Sequence, residues 1–164
     1  MYKHLVGFIL CSATAAADTP AMPLALQGTW TLSAAYETRA DGTRTYNYGE
    51  HPHGLLIVDA DGRYSLQIFR ADRPRFASAD KTRGSAEEYR AAVTGASTHI
   101  GRVHVDAAAK RLVFDIESAS FPNWQGTQQV RDFSYANGTL TYAVPASASG
   151  NGSTAYSVWQ RAGN

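Results

Sequence analysis

The chain has one cysteine among its 164 residues, Cys11, and it lies in an apolar N-terminal run. With that run removed on export, the mature protein has no thiol. Disulfides, cysteine nucleophiles and thiolate metal sites are then excluded together. Charge of one sign is also missing. Lys and Arg number 15 and Asp and Glu 14, for a net charge of +1, and no basic run or stripe occurs. Nucleic acid is therefore not an expected partner. The longest apolar stretch, Leu5–Cys11, falls well short of the ~20 residues a transmembrane helix needs, so the mature chain is expected to carry no integral membrane segment. There is no G-x-S-x-G, no phosphate-binding glycine loop, no dinucleotide fingerprint and no H-E-x-x-H. No serine or threonine stands in a nucleophile context, which argues against a covalent hydrolase. No cofactor and no metal are expected.

The first 17 residues read as a secretory signal. Lys3 and His4 make a short basic start, Leu5–Cys11 is apolar, and Ala15-Ala16-Ala17 offers a cleavage site before Asp18. A lipid anchor on Cys11 is disfavoured, because Leu10 precedes it where a small residue is needed. The expected layout is a signal peptide over 1–17, an extended lead-in over 18–25 with Pro20 and Pro23, and one domain over 26–164. The roughly 145 residues left after cleavage suffice for a core without staples. The expected location is periplasmic or secreted.

Short strand candidates separated by turn signals fill the domain, the pattern of a sandwich or barrel. They lie near Gly28–Arg39, Gly54–Asp59, Arg63–Arg70, His99–Asp106, Arg111–Ala119, Thr127–Tyr135, Thr139–Val144 and Thr154–Arg161. Asp59-Ala60-Asp61-Gly62 reads as a tight hairpin, and Asp41-Gly42 and Asn137-Gly138 are further turn signals. One helix is expected, capped by Ser85 with Glu88 completing a capping box. Tyr89, Ala92, Val93 and Ala96 would form the face that closes one end or side of the barrel. Along the strands, Arg63, Ser65 and Gln67 alternate with Tyr64, Leu66 and Ile68, and Asp115 and Glu117 with Phe114 and Ile116. Which set faces inward is left open, since a one-residue slip exchanges the faces.

Several clusters could carry chemistry. Tyr48, Glu50, His51 and His53 crowd between Gly49 and Gly54. The two imidazoles could share a metal, but no partner motif accompanies them, and a rim turn is the preferred reading. His99 and His104 are an odd number apart and point to opposite faces of a regular strand. Arg73-Pro74-Arg75-Phe76 could grip a carboxylate or stack on a flat ligand, or could be a loop held by salt bridges to Asp72 and Asp80; the two readings stand level. Phe121-Pro122-Asn123-Trp124 combines flat apolar walls with a side chain that both donates and accepts, which suits the mouth of a cavity.

The blocks YGEHP at Tyr48–Pro52, RPRFAS at Arg73–Ser78, EEYRAA at Glu87–Ala92 and FPNWQGTQQVR at Phe121–Arg131 resemble the lipocalin-like domain family of bacteria and fungi. Gly28-Thr29-Trp30 resembles the G-x-W that opens a lipocalin barrel. Trp159 and Arg161 stand where lipocalins often place an Arg beneath the first Trp. The resemblance covers about Leu26 to Arg161. It implies an all-β fold, an antiparallel barrel of about eight strands with one short helix around a ligand-sized cavity, and it implies no particular ligand.

The expected function is that of an exported protein binding a small, largely apolar molecule in the barrel. The contacts expected are Tyr48, Glu50, His51, Arg75, Phe76, Asn123 and Trp124, with Tyr64, Gln67 and Arg131 as interior positions. The alternative is a cofactor-independent cyclase or isomerase in the same cavity, with Glu50 or His51 transferring a proton and Arg75 steadying an oxyanion.

Overall fold

The computed structural model describes residues 22–144 and 153–163. The signal segment and its cleavage site lie outside the described residues. Nine strands follow in chain order: β1 (Gly28–Thr38), β2 (Arg44–Thr45), β3 (His53–Val58), β4 (Arg63–Phe69), β5 (Ala96–Asp106), β6 (Arg111–Ala119), β7 (Gln128–Ala136), β8 (Thr139–Val144) and β9 (Thr154–Arg161). Each of β3 to β8 pairs antiparallel with its successor, and β1 pairs with both β3 and β9. Eight strands therefore close into a barrel with no free edge among them. The two-residue β2 extends the rim beside the far end of β1, through Glu37 and Thr38.

The open question of facing is settled by burial. On β4, Tyr64, Leu66 and Ile68 are buried and Arg63 is exposed. On β6, Phe114 and Ile116 are buried while Glu117 is exposed and pairs with Arg63 at 3.1 Å. The apolar sets face inward, and the alternating charges are solvated. Irregularities in β1 between Leu32 and Ala34 and in β5 between Ile100 and Gly101 break the simple period of two.

One end of the barrel is sealed. Trp30, fully buried, donates from its indole N–H to the Leu26 carbonyl at 3.3 Å. The Arg161 guanidinium lies 4.4 Å from the centre of the Trp30 ring. The same guanidinium donates to the Gln27 carbonyl at 2.7 Å and to the Ala25 carbonyl. These carbonyls belong to the short 3-10 turn at Leu24–Leu26 and its exit. Arg161 thus staples the plug to the last strand, as expected of this pair. At the same end, Gly62 ends the β3–β4 hairpin with φ at 76°. Its carbonyl accepts from the Val103 amide at 2.7 Å.

The helix α1 (Ala86–Thr94) has the expected capping box: the Glu88 amide donates to the Ser85 hydroxyl at 3.2 Å, and the Ser85 amide to the Glu88 carboxylate at 2.7 Å. Its expected closing face is not there. No residue of α1 is buried, Val93 is 63% exposed, and Ala96 already belongs to β5. The helix is held through the preceding loop instead. Glu88 accepts from the Ala77 amide at 2.6 Å, and Tyr89 packs edge-on against Phe76 and donates to the Lys81 carbonyl at 3.0 Å. A helix tied to a loop by polar contacts need not bury an apolar stripe. Among the described residues, no helix is long and apolar enough to cross a membrane.

Candidate functional site

Opposite the sealed end the barrel holds a cavity of about 710 Å³. Its apolar walls include Ala35, Leu66, Ile68 and Val144, and its aromatic walls Tyr36, Tyr48, Trp124, Tyr142 and Tyr156. The polar lining is distinctive. Ser97 and His99 come from β5, Gln129 and Arg131 from β7, and Ser157 from β9, each in phase with the apolar residues that face inward. Glu37 lies toward the rim. Its carboxylate accepts from the Asn47 amide group at 2.7 Å and from the Ser153 hydroxyl at 3.0 Å.

Deep in the barrel, His99 is buried between the edges of Tyr64, Phe114 and Trp124. Burial, aided by the nearby positive charge of Arg131, pushes its pKa down to about 3. At neutral pH the ring is uncharged. The Tyr64 hydroxyl sits 2.7 Å from His99 Nδ1, and burial raises the Tyr64 pKa, so the phenol keeps its proton. Arg131 is only 5% exposed. It lies over the rings of Phe114 and Tyr142, 5.4 Å from each centre, and its Nη2 donates to Gln129. Burial lowers its pKa from the ordinary value, but a guanidinium remains charged. The Tyr142 pKa is raised by burial.

The residues expected from the sequence divide sharply. Tyr48 lines the cavity together with Ser97, and desolvation raises its pKa. Trp124 lines it too, on the short 3-10 turn Pro122–Trp124. Glu50, His51, Arg75 and Asn123 are exposed and are not among the lining residues, and Phe76 packs against Tyr89 outside the barrel. Of the interior positions, Arg131 lines the cavity and Tyr64 is buried against His99. Gln67 alternates out of phase with Leu66 and Ile68 and lines an outer hollow with Pro52, His53 and Gly54. Sequence reasoning passed over Glu37, Ser97, Gln129, Tyr142 and Ser157, and took His99 only as a lone strand histidine with no partner in His104. The signal that could have found them was present: each keeps the two-residue phase of buried apolar neighbours, as Arg131 does with Phe133 and Ser157 with Trp159. Among the described residues, no group of three His, Cys, Asp or Glu side chains could hold a metal ion.

A closed antiparallel barrel, sealed at one end by a Trp–Arg stack and hollow toward the other, defines a small-molecule-binding type of fold. The family model for the lipocalin-like domain matches residues 27–162, and the chain belongs to that family. No curated protein and no solved structure matched the chain.

Proposed function

We propose that the protein is an exported binding protein that holds a small, largely apolar molecule inside its barrel. The cavity carries this reading. Its volume of about 710 Å³ falls within the roughly 300–1,000 Å³ range of small-molecule sites. Its walls combine aliphatic and aromatic surface with a few fixed polar groups. Export rests on the N-terminal pattern, and N-terminal sequencing of exported protein should begin at Asp18. An intact Met1 on soluble cytoplasmic protein would refute export.

Native mass spectrometry of freshly purified mature protein tests the binding reading. A co-purifying small apolar molecule, or one taken up from a panel with a rise in Tm, is the expected result. A protein that takes up nothing from a broad apolar panel would overturn it. The cyclase or isomerase alternative needs a proton-transfer group beside the substrate. Glu50, His51 and Arg75 stand outside the cavity lining, and a His99 held near 3 is a weak base at neutral pH. Binding is therefore the favoured reading.

A further inference from the structure

Binding of a purely apolar molecule leaves Arg131 without an account. A guanidinium has five N–H donors and keeps its charge. Removing it from water costs several kcal/mol unless a counter-charge and hydrogen bonds offset the loss. Here the residue is only 5% exposed and Nη2 donates to neutral Gln129. Nε has no partner. The ion pairs among the described residues are Arg63–Glu117, Arg70–Asp72, His104–Asp115 and Arg111–Asp132, and none includes Arg131. The rings of Phe114 and Tyr142 give its charge partial support only.

The neighbouring groups extend the same pattern. The Tyr64 hydroxyl and His99 Nδ1 share a hydrogen bond at 2.7 Å whose direction depends on the imidazole tautomer, and both groups are neutral. His99 therefore brings no counter-charge to Arg131. The floor offers the guanidinium's N–H donors and its positive charge, with no ion-paired anion among the described residues. Glu37 stands on the opposite side of the cavity, its carboxylate already engaged by Asn47 and Ser153. An anionic group is repelled there and attracted at the floor, which orients an acid head-first.

We propose that the ligand is an apolar monocarboxylate, its carboxylate held by Arg131 at the cavity floor and its hydrocarbon part packed against Leu66, Ile68 and Val144. This rests on the reading of the cavity as a binding site and names the ligand class. The bound acid supplies the buried counter-charge that the chain itself does not, in the forked geometry a guanidinium and a carboxylate share.

Decanoate and 1-decanol, matched in chain length, separate the charge from the tail. Calorimetric titration at neutral pH should show decanoate binding the wild type roughly 10- to 100-fold more tightly than decanol, as expected for charge-assisted hydrogen bonds. Arg131→Met should abolish that preference by weakening decanoate while leaving decanol binding in place. Carboxyl-labelled ¹³C-decanoate adds a readout that needs no variant. Its bound pKa should fall by about one unit or more when it lies against a guanidinium. Equal affinities, a preference for decanol, or an unshifted carboxyl pKa would overturn the proposed head group while leaving apolar binding standing. Failure of decanoate, decanol and a panel of neutral apolar molecules alike would overturn both.

Discussion

Burial holds His99 neutral, and this makes the folded state sensitive to acid. Its folded pKa is about 3 against an ordinary 6.5. Above the ordinary value neither state binds the proton, and folding is indifferent to it. Between the two values the unfolded chain protonates and the folded one does not, so stability falls as pH falls. The full loss is on the order of 5 kcal/mol, reached near the lower pKa. Exposed carboxylates with lowered pKa, such as Asp41, Asp72, Asp80 and Glu88, add losses of the same sign at lower pH, below the usual carboxylate range. The interval from about pH 6.5 to pH 4.5 therefore reports chiefly on His99. His99→Gln should flatten the dependence of Tm on pH there, and an unchanged slope would show that His99 is not shielded. Arg131 carries a second prediction at this scale. Replacing an uncompensated buried charge with an apolar side chain of similar length relieves its desolvation. Arg131→Met should leave the unliganded Tm equal or raised, as read by calorimetry, whereas a lowered Tm would mean that Gln129 and the flanking rings already satisfy the cation.

Among the elements, the sealed end concentrates stability. Trp30→Ala empties a fully buried site that joins the 3-10 plug to β1, and it should cost about 3–5 kcal/mol in denaturant unfolding. Arg161→Ala removes the stacked cation and its bonds to two carbonyls of the plug. Its cost should be smaller, about 1–3 kcal/mol. If both variants unfold with the wild type, the plug contributes nothing to closure. At the β3–β4 hairpin, a Cβ on Gly62 would lie 2.4 Å from the Val103 carbonyl oxygen, at a positive φ. Gly62→Ala should lower stability by at least about 1–3 kcal/mol.

At the scale of the whole molecule, the barrel was more legible than its contents. Strand positions followed from turn chemistry, since Asp59–Gly62 and Asn137-Gly138 mark reversals whatever the strands pack against. The Trp30–Arg161 stack followed from family likeness. The helix was legible locally through Ser85 and Glu88, because capping is decided within one turn, but its face was not, because burial depends on what lies beneath it. The cavity was harder for a related reason. Glu50, His51 and Arg75 drew attention as clusters of polar residues close in sequence, yet loops present such clusters to solvent. The groups that do line the cavity are dispersed over β1, β5, β7, β8 and β9 and meet only when the sheet closes. Arg131 and Gln67 looked alike as isolated polar strand residues. Phase separates them: Arg131 aligns with Phe133, while Gln67 runs against Leu66 and Ile68. The barrel closes through main-chain pairing and side-chain packing, and chelator treatment should leave Tm unchanged. Stoichiometric zinc lost on His51→Ala would contradict that.

The described chain enters and leaves the barrel at the same pole. The Met22 amide donates to the Ala60 carbonyl in the β3–β4 hairpin, and the Ala162 amide to the Thr29 carbonyl beside Trp30. Both anchor points lie at the sealed pole, away from the hollow end. A tether attached beyond Gly163 therefore leaves the entrance facing away from whatever it is fastened to. Immobilised on a sensor chip by its C-terminal side, the molecule would present its hollow end to the flowing solution.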